Sequence, residues 1–146
     1  MNIEAKNPSR QELTARYQLQ FEPKDRWLHI KVTGVNSRET VTAYLKELVS
    51  ECGVRGCDRI LVEERLEGPR LPFADVFALA ASGSAEVLGA FSALAYVDVF
   101  AVDDLMKFAE DVVVNRGVPA RVFATVSEAE TWLRAQTVGA RVGLPK

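Results

Sequence analysis

Adjacent carboxylates are the first feature of this chain that could carry chemistry. The run ILVEE at residues 60–64 ends in Glu63 and Glu64, shortly before the chain breaks at Gly68-Pro69. Paired acids serve general acid–base catalysis, but neighbours on a strand point to opposite faces and cannot converge on one substrate. Glu64, followed by Arg65 and Arg70, has two readings. It lines the crevice at the carboxyl ends of the strands, where α/β sheets usually bind ligands, or it belongs to a solvated loop. Asp98 near the end of a later strand and Asp103-Asp104 at the next helix start fall on the same edge. For Asp103 and Asp104 the helix itself is reason enough, since acids at an N-terminus stabilise it by about 0.3–1 kcal/mol.

The other reactive types are sparse. His29 alternates outward with Lys31 and has no Ser or Cys in a nucleophile motif, so it reads as an exposed strand histidine. Trp27 and His29, beside Tyr17 or Gln18 depending on register, form an amphipathic docking surface on an edge hairpin, or are partly covered by the N-terminal tail. Cys52 and Cys57 make a C-x4-C pair. A structural zinc site wants about four ligands, and His29 is the single further candidate, so the pair reads as two reduced thiols at a helix end. Gly53 and Gly56 bracket a helix-to-strand turn, whereas phosphate loops precede a helix. No catalytic residue, metal ligand or cofactor is expected, and the chain is expected not to be an enzyme.

Composition narrows the partners. The 146 residues are 48% hydrophobic and 26% charged, a globular balance suited to one domain with a single core. The net charge of −2 comes with Lys and Arg scattered among acids, which argues against nucleic acid. No apolar stretch reaches the roughly 20 residues of a membrane span, and the start MNIEAKNPSRQE has no apolar signal core. A cytoplasmic location is the expectation.

Periodicity supplies the elements that position these residues. Tyr17, Leu19 and Phe21 alternate with polar residues, Pro23-Lys24-Asp25 turns the chain, and Leu28, Ile30 and Val32 alternate again, which predicts a hairpin. Asn36 and Glu39 have capping-box spacing ahead of a helix from about Ser37 to Cys52, stopped by Gly53. Arg59–Val62 is apolar on both parities, as an interior strand would be. A helix after Pro72 puts Phe73, Val76, Phe77 and Ala80 inward and breaks at Ser82-Gly83-Ser84, with a turn resuming near 86–88. A fourth strand spans Ala93–Val99. A helix from Asp103 buries Leu105, Met106, Ala109, Val112 and Val113 and stops at Gly117, and a fifth strand follows at Val122–Ala124. Ser127 and Glu130 open a last helix with Trp132 and Leu133 facing in. The order ββαβαβαβα implies a mostly parallel sheet of about five strands with an antiparallel edge strand. The domain spans 17–136, with tails at 1–16 and 137–146.

This order, with WLHIKVTG leading to a capped helix, RILVEER in the middle, SALAYVDV next and ARVFATVSEAETWL at the end, resembles the SpoIIAA-like, STAS-related family over roughly Tyr17 to Ala135. The resemblance implies a βα superhelix and a regulatory, non-catalytic module. In anti-sigma-factor antagonists of this fold a phosphoserine lies at the start of the helix after the third strand. The corresponding stretch here, Gly68 to Asp75, holds no Ser or Thr, and Ser82 and Ser84 fall at the wrong end of the helix for its dipole to favour a phosphate. A protein partner or a homodimer through the edge hairpin is therefore the leading expectation, and a small apolar or lipid-like ligand is the alternative.

Overall fold

The structure, a computed structural model, describes residues 16–100 and 103–136. The expected tails, Arg16 excepted, lie outside the described residues. Strands β1 (Tyr17–Pro23) and β2 (Leu28–Val35) form the hairpin. They are followed by helix α1 (Arg38–Arg55), β3 (Arg59–Glu67), α2 (Phe73–Val87), β4 (Ala93–Asp98), α3 (Asp103–Asn115), β5 (Ala120–Phe123) and α4 (Val126–Ala135). The strands lie side by side in chain order. β1 runs antiparallel to β2, and the later pairs are parallel.

Alternation along the strands divides the core in two. Ile30, Val32, Ile60, Val62 and Leu94 pack beneath Tyr44, Leu48 and Cys52 of α1 and Val87 of α2. On the opposite face Leu61, Ala95 and Val97 meet Ala129 and Leu133 of α4, together with Trp27. The middle strand β3 is covered on both sides, which is why its residues read as a continuous apolar run. Each fully buried aliphatic side chain stabilises the fold by about 1.5–3 kcal/mol.

Several boundaries differ from the sequence expectation. Strand β3 continues past Val62 to Glu67 because β2 supplies a parallel partner as far as Val35. β5 begins at Ala120, two residues early, where it pairs with Leu94. Ser37, not Asn36, caps α1 by accepting the Thr40 N–H at 3.0 Å, while the Asn36 amide donates to the Pro69 carbonyl at 2.9 Å. Gly53 stays helical, and the turn comes at Gly56, whose φ of 70° favours glycine. There the Gly56 N–H bonds Gly53 O at 3.3 Å and the Cys57 N–H bonds Cys52 O at 3.0 Å, the double closure of a Schellman end. Thr125 rather than Ser127 caps α4, accepting the Glu128 N–H at 3.1 Å.

Helix α2 does not break at Ser82-Gly83-Ser84. Both hydroxyls bond their own helix, Ser82 to Ala78 O at 2.9 Å and Ser84 to Ala80 O at 2.6 Å, so they do not draw the backbone away. Gly83 earns its place in packing, since a Cβ there would stand 3.0 Å from Leu45 Cδ1 of α1. Phe73 and Phe77, expected inward, remain about half exposed and lean on Phe108 of α3 with ring centroids 5.2 and 6.3 Å away. The inward side of α2 is taken by its smaller residues.

Gly34 joins the hairpin to Arg16 at close range. Its φ is +139°, and a Cβ there would fall 2.1 Å from Arg16 O. Gly34→Ala should destabilise the fold by about 1–3 kcal/mol. Gly53→Ala, where a Cβ meets nothing within 4 Å, should be neutral or stabilising by up to about 1 kcal/mol. Urea midpoints of the two variants measured side by side test the contrast.

Candidate functional site

Strand register brings two acids together. Glu64 pairs with Asp98 and Val62 with Tyr96 in the parallel β3–β4 ladder, so Glu64, Tyr96 and Asp98 share the face that α1, α2 and α3 cover. Tyr44 descends from α1, one turn before Leu48. Its hydroxyl donates to Glu64 Oε2 in a short contact, and the Tyr96 hydroxyl donates to Glu64 Oε1 at 2.5 Å. Asp98, opposite Glu64 in the ladder, accepts the Phe100 N–H at 3.0 Å and faces Arg70 Nη1 at 3.5 Å. Arg70 is fixed by the Leu66 carbonyl at 2.7 Å.

Burial and neighbouring charge set the protonation of this cluster. Glu64 is 3% exposed. Its removal from water, followed by the charge of Asp98, pushes its carboxyl up to about 7, although both tyrosine hydroxyls favour the ionised form. Asp98 is also raised, chiefly by burial, with the Phe100 N–H and Arg70 pulling the other way. Tyr44 and Tyr96 are held well above their ordinary range by burial and then by the charge of Glu64, so they remain donors at neutral pH.

These groups form the polar end of an apolar cavity of about 180 Å³ between the sheet and the three helices. Its walls include Val41 and Leu45 of α1, Leu79 and Ala80 of α2, and Met106 and Ala109 of α3. Such a chamber can take an apolar body and offer its polar end a carboxyl group able to donate or accept a hydrogen bond.

The residues singled out from sequence divide between the two sheet faces. Glu64, Asp98 and Arg70 come together at the cavity. Arg65 does not: it lies on the other face, where its Nε donates to Glu63 Oε2 at 2.5 Å. His29, expected outside, is largely buried there, with Nε2 2.8 Å from Glu63 Oε1. Burial alone would raise the Glu63 carboxyl, but the Arg65 and His29 hydrogen bonds outweigh it and hold the group below its usual range. Trp27 is 5% exposed, packed in the α4-side core with the Arg134 guanidinium 5.2 Å from its ring. It therefore forms no surface patch, and His29 stands opposite Glu22 rather than Tyr17 or Gln18. Among the described residues no group of three or more His, Cys, Asp or Glu could hold a metal ion.

Sequence reasoning missed Tyr44 and Tyr96 as site residues, placing them only within the first predicted helix and the fourth predicted strand. The signal was present, because a buried tyrosine needs a partner for its hydroxyl and both lie at positions that periodicity turns inward. Below about 4.5 the native and unfolded chains both hold the Glu64 proton, whereas between about 4.5 and about 7 the native state alone retains it. Stability from this group should therefore fall as pH rises through that window, by at most about 1.4 kcal/mol per unit. Thermal melts of the wild type should show the decline, and Glu64→Gln, which stays neutral, should flatten it.

No family model matches this chain, and neither does any curated protein.

Proposed function

We propose that the protein is a binding module for a small, largely apolar molecule with one polar group, held between the sheet and α1–α3 with that group against Glu64. The observation that carries this reading is the cavity itself: apolar walls end in a buried carboxyl already framed by two tyrosine donors. An engineered cavity of about 150 Å³ binds benzene, so a space of about 180 Å³ suits a single ring or a short alkyl chain bearing a hydroxyl or carbonyl. The strand order β1 to β5 with helical crossovers supports a SpoIIAA-like, STAS-related scaffold for the module, and the role is non-catalytic and regulatory.

A second reading, docking of a protein partner or of a second copy, is favoured by the exposed rings of Phe73 and Phe77 in the first turns of α2. β1 is also a terminal strand of the sheet, and terminal strands invite pairing. Sedimentation equilibrium distinguishes a dimer from a monomer. For either reading the stretch from Glu67 to Asp75 offers no hydroxyl for a phosphate switch. Among the described residues no helix is long and apolar enough to cross a membrane.

Calorimetric titration with p-cresol and with toluene tests the pocket. Cresol should bind more tightly than toluene, and Ala109→Phe, which fills the cavity, should weaken both by about tenfold or more, or about 1.4 kcal/mol. Equal affinity for the two would remove Glu64 from recognition, and the absence of binding by both would refute the pocket reading.

A further inference from the structure

The Schellman end of α1 brings the two cysteines of the chain into contact. In this motif the residue three positions before the cap and the second residue beyond it face each other, a place commonly filled by an apolar pair. Here those residues are Cys52 and Cys57, joined by the 3.0 Å bond from the Cys57 N–H to Cys52 O. Both side chains pack in the same hydrophobic cluster, and the Cys57 thiol donates to the Arg59 carbonyl at 3.3 Å. Both are free thiols. A disulfide needs Cα atoms about 4.4–6.8 Å apart with converging Cβ atoms, and the backbone bond from Cys57 N–H to Cys52 O at 3.0 Å draws the two residues together.

We infer that Cys52 and Cys57 are a reversible thiol–disulfide site, with Cys57 as the attacking sulfur and Cys52 as the resolving one. Exposure orders the roles: Cys57 is half-buried and accessible, whereas Cys52 is 2% exposed. The chemistry agrees, since the neighbouring Cys52 thiol and the Arg59 carbonyl lower the Cys57 thiol, while the neighbouring Cys57 and burial raise Cys52.

The co-reactant is a low-molecular-weight disulfide. Cys57 thiolate attacks one of its sulfurs, the S–S bond of the small molecule breaks, and the departing thiolate takes up the proton that Cys57 lost. Cys52 then attacks the Cys57 sulfur, forming the Cys52–Cys57 bond and releasing the second small thiol with the Cys52 proton. Two protein thiols are oxidised and one disulfide is reduced. Neither cysteine lines the cavity, so the site stands independently of the ligand reading. It acts on the C-terminal end of the helix that carries Tyr44.

The test uses the full chain in glutathione buffers of increasing oxidised fraction, quenched by alkylation and read by mass spectrometry. The wild type should lose two hydrogen atoms and both alkylatable thiols, peptide mapping should join Cys52 to Cys57, and dithiothreitol should restore both thiols. Cys52→Ser should stop at a glutathione adduct on Cys57. Cys57→Ser should form its adduct about tenfold more slowly or worse, because the remaining thiol is buried. Wild-type protein that keeps both thiols, or accumulates a stable glutathione adduct without the internal bond, would overturn the site. Equal adduct rates in the two variants would overturn the assigned order of attack.

Discussion

Two carboxyl groups placed side by side in the interior constrain much of the rest of this molecule. Parallel pairing sets Glu64 directly opposite Asp98, and a buried pair of like charges is unfavourable unless protons and hydrogen bonds relieve it. The neighbouring elements supply that relief. α1 delivers the Tyr44 hydroxyl, β4 delivers Tyr96 two residues before Asp98, and the chain leaving β3 turns Arg70 back towards Asp98. Even the backbone after β4 contributes through the Phe100 N–H. The polar end of the cavity is thus a meeting of four separate segments, and its geometry is only as good as the packing of all of them.

Glu63 and Glu64 show how far one residue of strand spacing separates two electrostatic fates. Glu63 faces His29 and Arg65, cations or donors that favour its charged form, and is lowered. Glu64 faces an acid and two phenols under apolar helices and is raised. Their identical chemistry yields a structural ion-pair cluster on one side of β3 and a proton-holding group on the other.

The architecture was legible in the sequence because it rests on local periodicity. Alternation in Leu28–Val32, the apolar run beginning at Arg59 and the capping spacing ahead of the helix from about Ser37 to Cys52 sufficed for element order, the parallel sheet and the opposed faces of Glu63 and Glu64. What depends on residues distant in the chain was not legible. His29 looked exposed because its partner Glu63 lies 34 positions away, and Trp27 looked like surface because α4, which covers it, comes last. The continuity of α2 through Ser82-Gly83-Ser84 was hidden for another reason. Ser and Gly are weak helix formers, and the close approach of Leu45 that suits Gly83 belongs to tertiary packing.

The strand order has one more consequence. In a sheet whose order reverses, crossovers diverge and leave a crevice at the reversal. Here β1 to β5 never reverse, so no such crevice arises, and the cavity lies between the sheet and the helical layer. A molecule held there completes the packing of the native state and has no equivalent place in the unfolded chain. On the proposed reading, a molecule that binds the native state alone raises its resistance to unfolding by RT ln(1 + [L]/Kd).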